Sequence, residues 1–174
     1  MNSKILAFEY FVYQLDNWYK QACGSDKGND LSTLKVLKLL FFASAVGTNE
    51  GCTNTLLDKV FDEFYAMPYG HVEGEIYSAI KNQQTKNVSI GKYSTKILSS
   101  DFQLEEKELI DSSIKMLKEE NFDLIKMSSF DLVELSHSWF SWKYYFNKAK
   151  QEKKYSFKIP IDVIKSEEKI FSFS

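Results

Sequence analysis

Ile5, Phe8, Val12, Leu15 and Tyr19 recur at steps of three and four, which predicts an amphipathic helix from about Lys4 to Ala22. Gly24, Gly28 and Asn29 break it into a loop. Ser32 or Thr33 can cap a second helix, carrying Leu34, Leu37, Leu40, Phe41 and Ala45, with Leu39 and Phe42 widening its apolar surface. That helix is apolar over most of its circumference, so it belongs at the centre of the fold, and Gly47 is placed to end it. Leu56, Leu57, Val60, Phe61 and Phe64 predict a further helix over Thr53 to Phe64.

Phe64 to Met67 reads as extended, because Pro68 pushes Met67 away from helical angles, and Pro68-Tyr69-Gly70 is a turn. A helix from about Val72 to Asn82 follows, with Ile76, Ala79 and Ile80 inward. Asn87 to Leu98 reads as loop or as a short hairpin bent at Gly91. Leu109, Met116 and Leu117 line a helix from about Leu104 to Glu120, whose early glutamates suit the helix dipole. Ser128 or Ser129 can cap a short helix through Leu135, and Trp142, Tyr145 and Phe146 lie on one from about Trp139 to Lys150. A last short helix, Ile161 to Phe171, has Asp162 as its expected cap. With no repeat and no linker-like stretch, the pattern predicts a mainly α single domain over 1–174. It would be a bundle of about seven or eight helices with at most a small β-hairpin or strand pair.

Composition narrows the function. A chain of 174 residues can build a core without staples. The longest apolar run, Leu39–Val46, is too short to cross a bilayer, and the first twelve residues lack the apolar block of a signal peptide. Those two absences predict a cytoplasmic protein with no membrane partner. Net charge is −2, so no bulk pull toward nucleic acid is expected, and the chain contains no Arg, the usual reader of guanine and phosphate. Nucleic acid is therefore disfavoured as a partner.

No candidate chemistry emerges. Cys23 and Cys52 read as free thiols, and neither sits in a nucleophile context beside His71 or His137. Two separate His and two separate Cys offer no metal-ligand spacing, and no glycine loop is built for phosphate. The chain is read as not an enzyme and as needing no cofactor. Aromatics reach 16%, an excess that either fills the core or supplies a partner surface. Lys143, Lys148, Lys150, Lys153 and Lys154 form a basic cluster. Its plainest reading is a solvated face, with an acidic protein or nucleic acid as the alternatives.

Four segments, in order, resemble the Panacea antitoxin family, SocA-like and phage-associated GepA-like. Leu31-Ser-Thr-Leu-Lys-Val-Leu-Lys-Leu-Leu-Phe-Phe-Ala43 resembles its opening pattern. Phe64-Tyr-Ala-Met-Pro-Tyr-Gly-His-Val72, with Tyr77 beyond, resembles its central turn, where the family has Trp in place of Met67 and Pro in place of His71. Leu132-Val-Glu-Leu-Ser-His137 with Trp142 matches a third motif, and Ile161-Asp-Val-Ile-Lys165 to Phe171 resembles the closing helix.

The resemblance implies the antitoxin half of a bacterial or prophage toxin–antitoxin pair, one that neutralises a cognate protein toxin by direct binding. Two alternatives stay open. One is an adaptor that delivers the toxin to a protease, with a protease or chaperone as second partner. The other is a DNA-binding regulator of its operon, although the apolar helix after Ser32 is ill suited to a groove. Candidate partner-binding residues are Tyr69, Gly70, His71, Tyr77, His137, Trp139 and Trp142. Each has a structural alternative. Tyr69 and Gly70 can simply fix a tight bend, and His137, Trp139 and Trp142 can form a helix–helix junction.

Overall fold

The computed structural model describes residues 2–24, 26 and 28–173. Asn2 caps α1 (Ser3–Cys23), and Ser32 caps α2 (Thr33–Ala45) by accepting the Lys35 backbone N–H. Every residue of α2 from Lys35 to Ala45 is buried, so α2 is the axis of the fold and cannot lie in a nucleic-acid groove. Gly47 follows at φ +71, the left-handed stop expected for it.

The predicted helix over Thr53 to Phe64 is only one turn, α3 (Leu56–Lys59). Thr55 and Asp58 form a capping box that starts it. The N–H groups of Val60 and Phe61 both return to the Leu56 carbonyl, which closes the helix in a wide last turn and sends Phe61 into the core. The chain then extends into β1 (Phe64–Met67), turns at Pro68-Tyr69, and returns as β2 (Gly70–Glu73), with Met67 opposite Gly70 and Phe64 opposite Glu73. Helix α4 (Gly74–Lys81) thus begins two residues later than the periodicity predicts, because Val72 and Glu73 are spent on the strand. Glu73 itself caps α4, accepting from Glu75 and Ile76, while Lys4 from α1 neutralises it.

The segment after Asn87 is a hairpin, β3 (Val88–Ile90) and β4 (Thr95–Ile97), bent at Gly91 as expected. Two side chains from elsewhere fix it. The buried Glu9 carboxylate on α1 accepts the backbone N–H groups of Lys86, Asn87 and Val88, and Asn29 both accepts from Thr95 N–H and donates to its carbonyl.

Helix α5 (Lys107–Glu120) starts three residues after Leu104, with no side-chain cap, and buries Ile110, Ile114 and Leu117. A 3-10 segment, Phe122–Lys126, leads into α6 (Ser129–His137), capped by Ser128, and α7 (Phe140–Gln151) follows. A two-residue strand that the sequence pattern did not indicate, β5 (Phe157–Lys158), adds to β1, giving sheet order β2-β1-β5. The last helix, α8 (Ile161–Ser166), is shorter than expected, since the chain leaves helical geometry at Glu167. Asp162 lies inside its first turn and does not cap it; Pro160 occupies that position. Eight α-helices and two small antiparallel sheets among the described residues make the fold mainly α. One contiguous core runs from Ala7 to Phe171.

Candidate functional site

The Pro68-Tyr69 turn sits between two layers, a buried polar cluster behind it and an open apolar cleft in front. The cluster is built around α2. Lys38 is fully buried, and its ammonium donates to the His71 carbonyl. Among the described residues it has no carboxylate partner. Burial alone pushes its pKa down to about 7. The His71 ring stacks on Phe41 at 3.5 Å between centroids, and its Nε2 lies 2.8 Å from Ser141 Oγ. Its pKa is held well below the usual value, first by burial and then by Lys38 and His137.

The Ser141 backbone N–H donates to Glu167 at 2.9 Å, which ties the chain after α8 to the start of α7. His71 Nδ1, His137 Nε2 and Glu167 Oε2 are buried without a hydrogen-bond partner in the structure. Serine, histidine and carboxylate meet here, but in the wrong order for nucleophilic hydrolysis. The carboxylate touches the serine and not the histidine Nδ1, and the group lies beneath the surface.

Burial raises the Glu167 carboxyl to about 6. A carboxyl whose folded pKa is raised costs stability when ionised, so the protein loses stability as pH rises from about 4.5 through 6. Glu167→Gln should therefore raise the melting temperature at pH 7.5, by an amount equivalent to about 2 kcal/mol. It should change little at pH 4.5, and an equal effect at both pH values would refute this assignment.

The cleft in front has a volume of about 810 Å³. Leu34 and Leu37 of α2, Val72 of β2 and Ile90 of β3 line it, together with Met67 and Pro68. Its rim carries Tyr69, Tyr77, Tyr93, Phe130 and Tyr155. These rings are open to solvent: Tyr69 60%, Tyr93 76%, Phe130 72% and Tyr155 71%. Asp30 and Lys92 are the charged residues among those lining it. The hairpin wall is held by Glu9 and Asn29, so the cleft is preformed.

The candidate residues fall into three groups. Tyr69 and Tyr77 stand at the cleft. His137 and Trp142 support the turn from behind: Trp142 Nε1 donates to the Met67 carbonyl at 2.7 Å, His137 stacks on the Trp142 indole at 3.7 Å, and Phe146 stacks there at 4.9 Å. Gly70, His71 and Trp139 are inside the molecule, with Trp139 packed on Phe41 and Phe171 and donating to the Ile170 carbonyl. The sequence did not single out Lys38, Ser141 or Glu167, nor the rim residues Tyr93, Phe130 and Tyr155. A lysine repeated at 35 and 38 inside an otherwise apolar helix was the available signal for the first of these. Cys23 and Cys52 are free and half-buried, and no group of three or more metal-ligating side chains occurs among the described residues. No helix is long and apolar enough to cross a membrane among the described residues.

The site is thus a preformed apolar cleft ringed by exposed aromatics on a mainly helical scaffold. A family model, "Antitoxin SocA-like, Panacea domain", matches residues 36–143. The chain belongs to that family. Neither a curated protein nor a solved structure matches it. The matched span runs from within α2 into the start of α7, and it includes the hairpin turn, most of the cleft wall and Trp142.

Proposed function

We propose that this protein neutralises a protein toxin encoded beside it in a bacterial or prophage pair, in the cytoplasm, by direct binding through the tyrosine-rimmed cleft. The observation that carries the reading is the set of four rings, each at least 60% exposed, around one apolar hollow. Exposed apolar surface of that kind costs solubility and is rarely kept without a partner. Tyrosine is among the residue types most often found as binding hot spots. A toxin held there and over the flanking surface would bury about 1,200–2,000 Å² in total. His137 and Trp142 act in this reading as supports that fix the turn, and Gly70, His71 and Trp139 as the core that shapes it.

Co-expression with the neighbouring gene product tests the proposal. The neighbour should arrest growth alone, be harmless with this protein, and co-purify with it. Tyr69→Ala with Phe130→Ala should weaken the complex by about 30-fold or more, since a hot-spot ring contributes about 2 kcal/mol, while melting temperature stays within about 2 °C. A neighbour that is harmless alone, or a double variant that binds as tightly as the parent, would refute it. Toxin half-life in the same cells separates occlusion, which leaves it unchanged or longer, from delivery to a protease, which shortens it.

A further inference from the structure

The net charge of −2 hides an asymmetry. Between Phe140 and Lys158 the chain carries six lysines, Lys143, Lys148, Lys150, Lys153, Lys154 and Lys158, against the single acid Glu152. Most of this stretch lies beyond the residues that the family model matches. Lys154 pairs with Glu152 and Lys158 with Glu63, while Lys143, Lys148, Lys150 and Lys153 have no carboxylate partner among the described residues.

Aromatic rings are interleaved with these ammonium groups on the outer face of α7. Phe140, Tyr144 and Lys148 are spaced i, i+4, i+8, which places them on one side of the helix, about 6 Å apart along its axis. Phe140 is 56% exposed and Tyr144 44%, and the two rings are stacked at 5.4 Å and 27°. The Lys148 ammonium lies 5.1 Å from the Tyr144 centroid, which holds its flexible stem down. Asn147 is exposed between Tyr144 and Lys148, and Gln151 is exposed just beyond Lys148.

We infer that the outer face of α7 binds single-stranded RNA, with the exposed Phe140 ring as the stacking platform, Tyr144 stacked beside it as its support, and Lys143, Lys148, Lys150 and Lys153 on the phosphates. An acidic polypeptide would satisfy the lysines but not the rings, because the negative face of an aromatic ring repels a carboxylate. Every nucleobase, by contrast, presents a π-face to stack. Phe140 has no polar handle, so stacking is what its exposed ring can offer. The amides of Asn147 and Gln151 and the Tyr144 hydroxyl are suited to a ribose 2′-OH, which DNA lacks. The site is separate from the apolar cleft and does not depend on the toxin-binding reading.

Fluorescence anisotropy with a labelled 15-nucleotide oligo(U) tests the inference on the full chain. Four neutralised phosphates predict a log–log salt slope near −2.8, so affinity should fall about fiftyfold between 50 and 200 mM salt. Lys143→Gln with Lys150→Gln and Lys153→Gln should reduce the slope to about a quarter. All three lysines are exposed, and Gln83 already adopts the positive φ that Lys153 has, so this variant should fold. Phe140→Ala with Tyr144→Ala should weaken binding about tenfold or more with the slope unchanged. No binding at 50 mM salt would overturn the inference. So would polyglutamate of equal charge binding as tightly, oligo(dT) binding as tightly as oligo(U), or a ring variant without effect.

Discussion

Gly70→Ala is expected to cost about 4 kcal/mol of folding stability. Two independent terms add. Gly70 sits at φ +105, a region L side chains rarely adopt, and forcing alanine there costs about 1–3 kcal/mol. A Cβ on Gly70 would also stand 2.4 Å from Ser136 Oγ, 3.1 Å from Lys38 Nζ and 3.3 Å from Lys38 Cδ, all in the buried layer behind the turn. Overpacking a core in this way costs about 1–3 kcal/mol. Neither neighbour can step aside freely. Ser136 Oγ donates to the Val133 carbonyl at 2.7 Å, and Lys38 is held by the His71 carbonyl. Against a typical total of 5–15 kcal/mol, the loss should appear as a large fall in the urea midpoint. Ser136→Ala added to Gly70→Ala should recover the steric share and leave the strain, so the double variant should lie between the parent and the single one. A Gly70→Ala protein within 1 kcal/mol of the parent would show that β2 does not approach α6 and α2 this closely.

That close approach also marks where the sequence could be read and where it could not. Elements set by local signals were legible. The three- and four-step apolar spacing gave α1, the Ser32 cap and apolar circumference gave α2, Pro68-Tyr69-Gly70 gave a turn, and Gly91 gave the bend of the second hairpin. Elements set by distant partners were not. The helical spacing of Leu56 to Phe64 is real, but Phe61 and Phe64 reach the core only if the chain turns after Lys59 and pairs as a strand. Strand β5 exists because β1 offers a free edge to Phe157, ninety residues later, and nothing within Phe157–Lys158 announces it.

The site divides in the same way. The sequence marks the turn, and with it Tyr69, Gly70, His71 and Tyr77, but Tyr93, Phe130 and Tyr155 join Tyr69 only through the tertiary fold. Trp139 and Trp142 are three residues apart with the same side-chain type, yet one is sealed in the core and the other holds the turn. Trp139 is the extended residue just before α7 and Trp142 lies in its first turn, so they point apart, one toward Phe41 and Phe171 and the other toward the Met67 carbonyl. The recurring pattern is a residue type correctly singled out whose role is assigned by what packs on it.

Lys38 carries the second large effect. Its ammonium is fully buried, donates to the His71 carbonyl and lacks a carboxylate partner among the described residues, which is why burial brings its pKa to about 7 from 10.5. In the unfolded chain the amine is protonated below about 10.5, and in the folded chain only below about 7. The folded state therefore loses stability as pH falls from 10.5 to 7, and below 7 the penalty is complete and constant. A difference of this size corresponds to about 5 kcal/mol. His71 stays neutral over the same range, because its own pKa is pushed well below 6.5, so it adds no opposing slope. Lys38→Met removes the penalty and fills the space. It also deprives the His71 carbonyl of its donor, at a cost of about 1–3 kcal/mol. The variant should be more stable than the parent by about 2–4 kcal/mol at pH 6.5, and equal or less stable at pH 10, where the folded parent's amine is neutral and less than about 1 kcal/mol of the penalty remains. Urea unfolding at pH 6.5, 8 and 10 reads the crossing directly. A Lys38→Met protein destabilised by the same amount at all three values would mean that the buried amine is compensated in the folded protein. In that case the close packing of Lys38 against Gly70 and His71 would be a stabilising lock on the turn and not a tolerated cost.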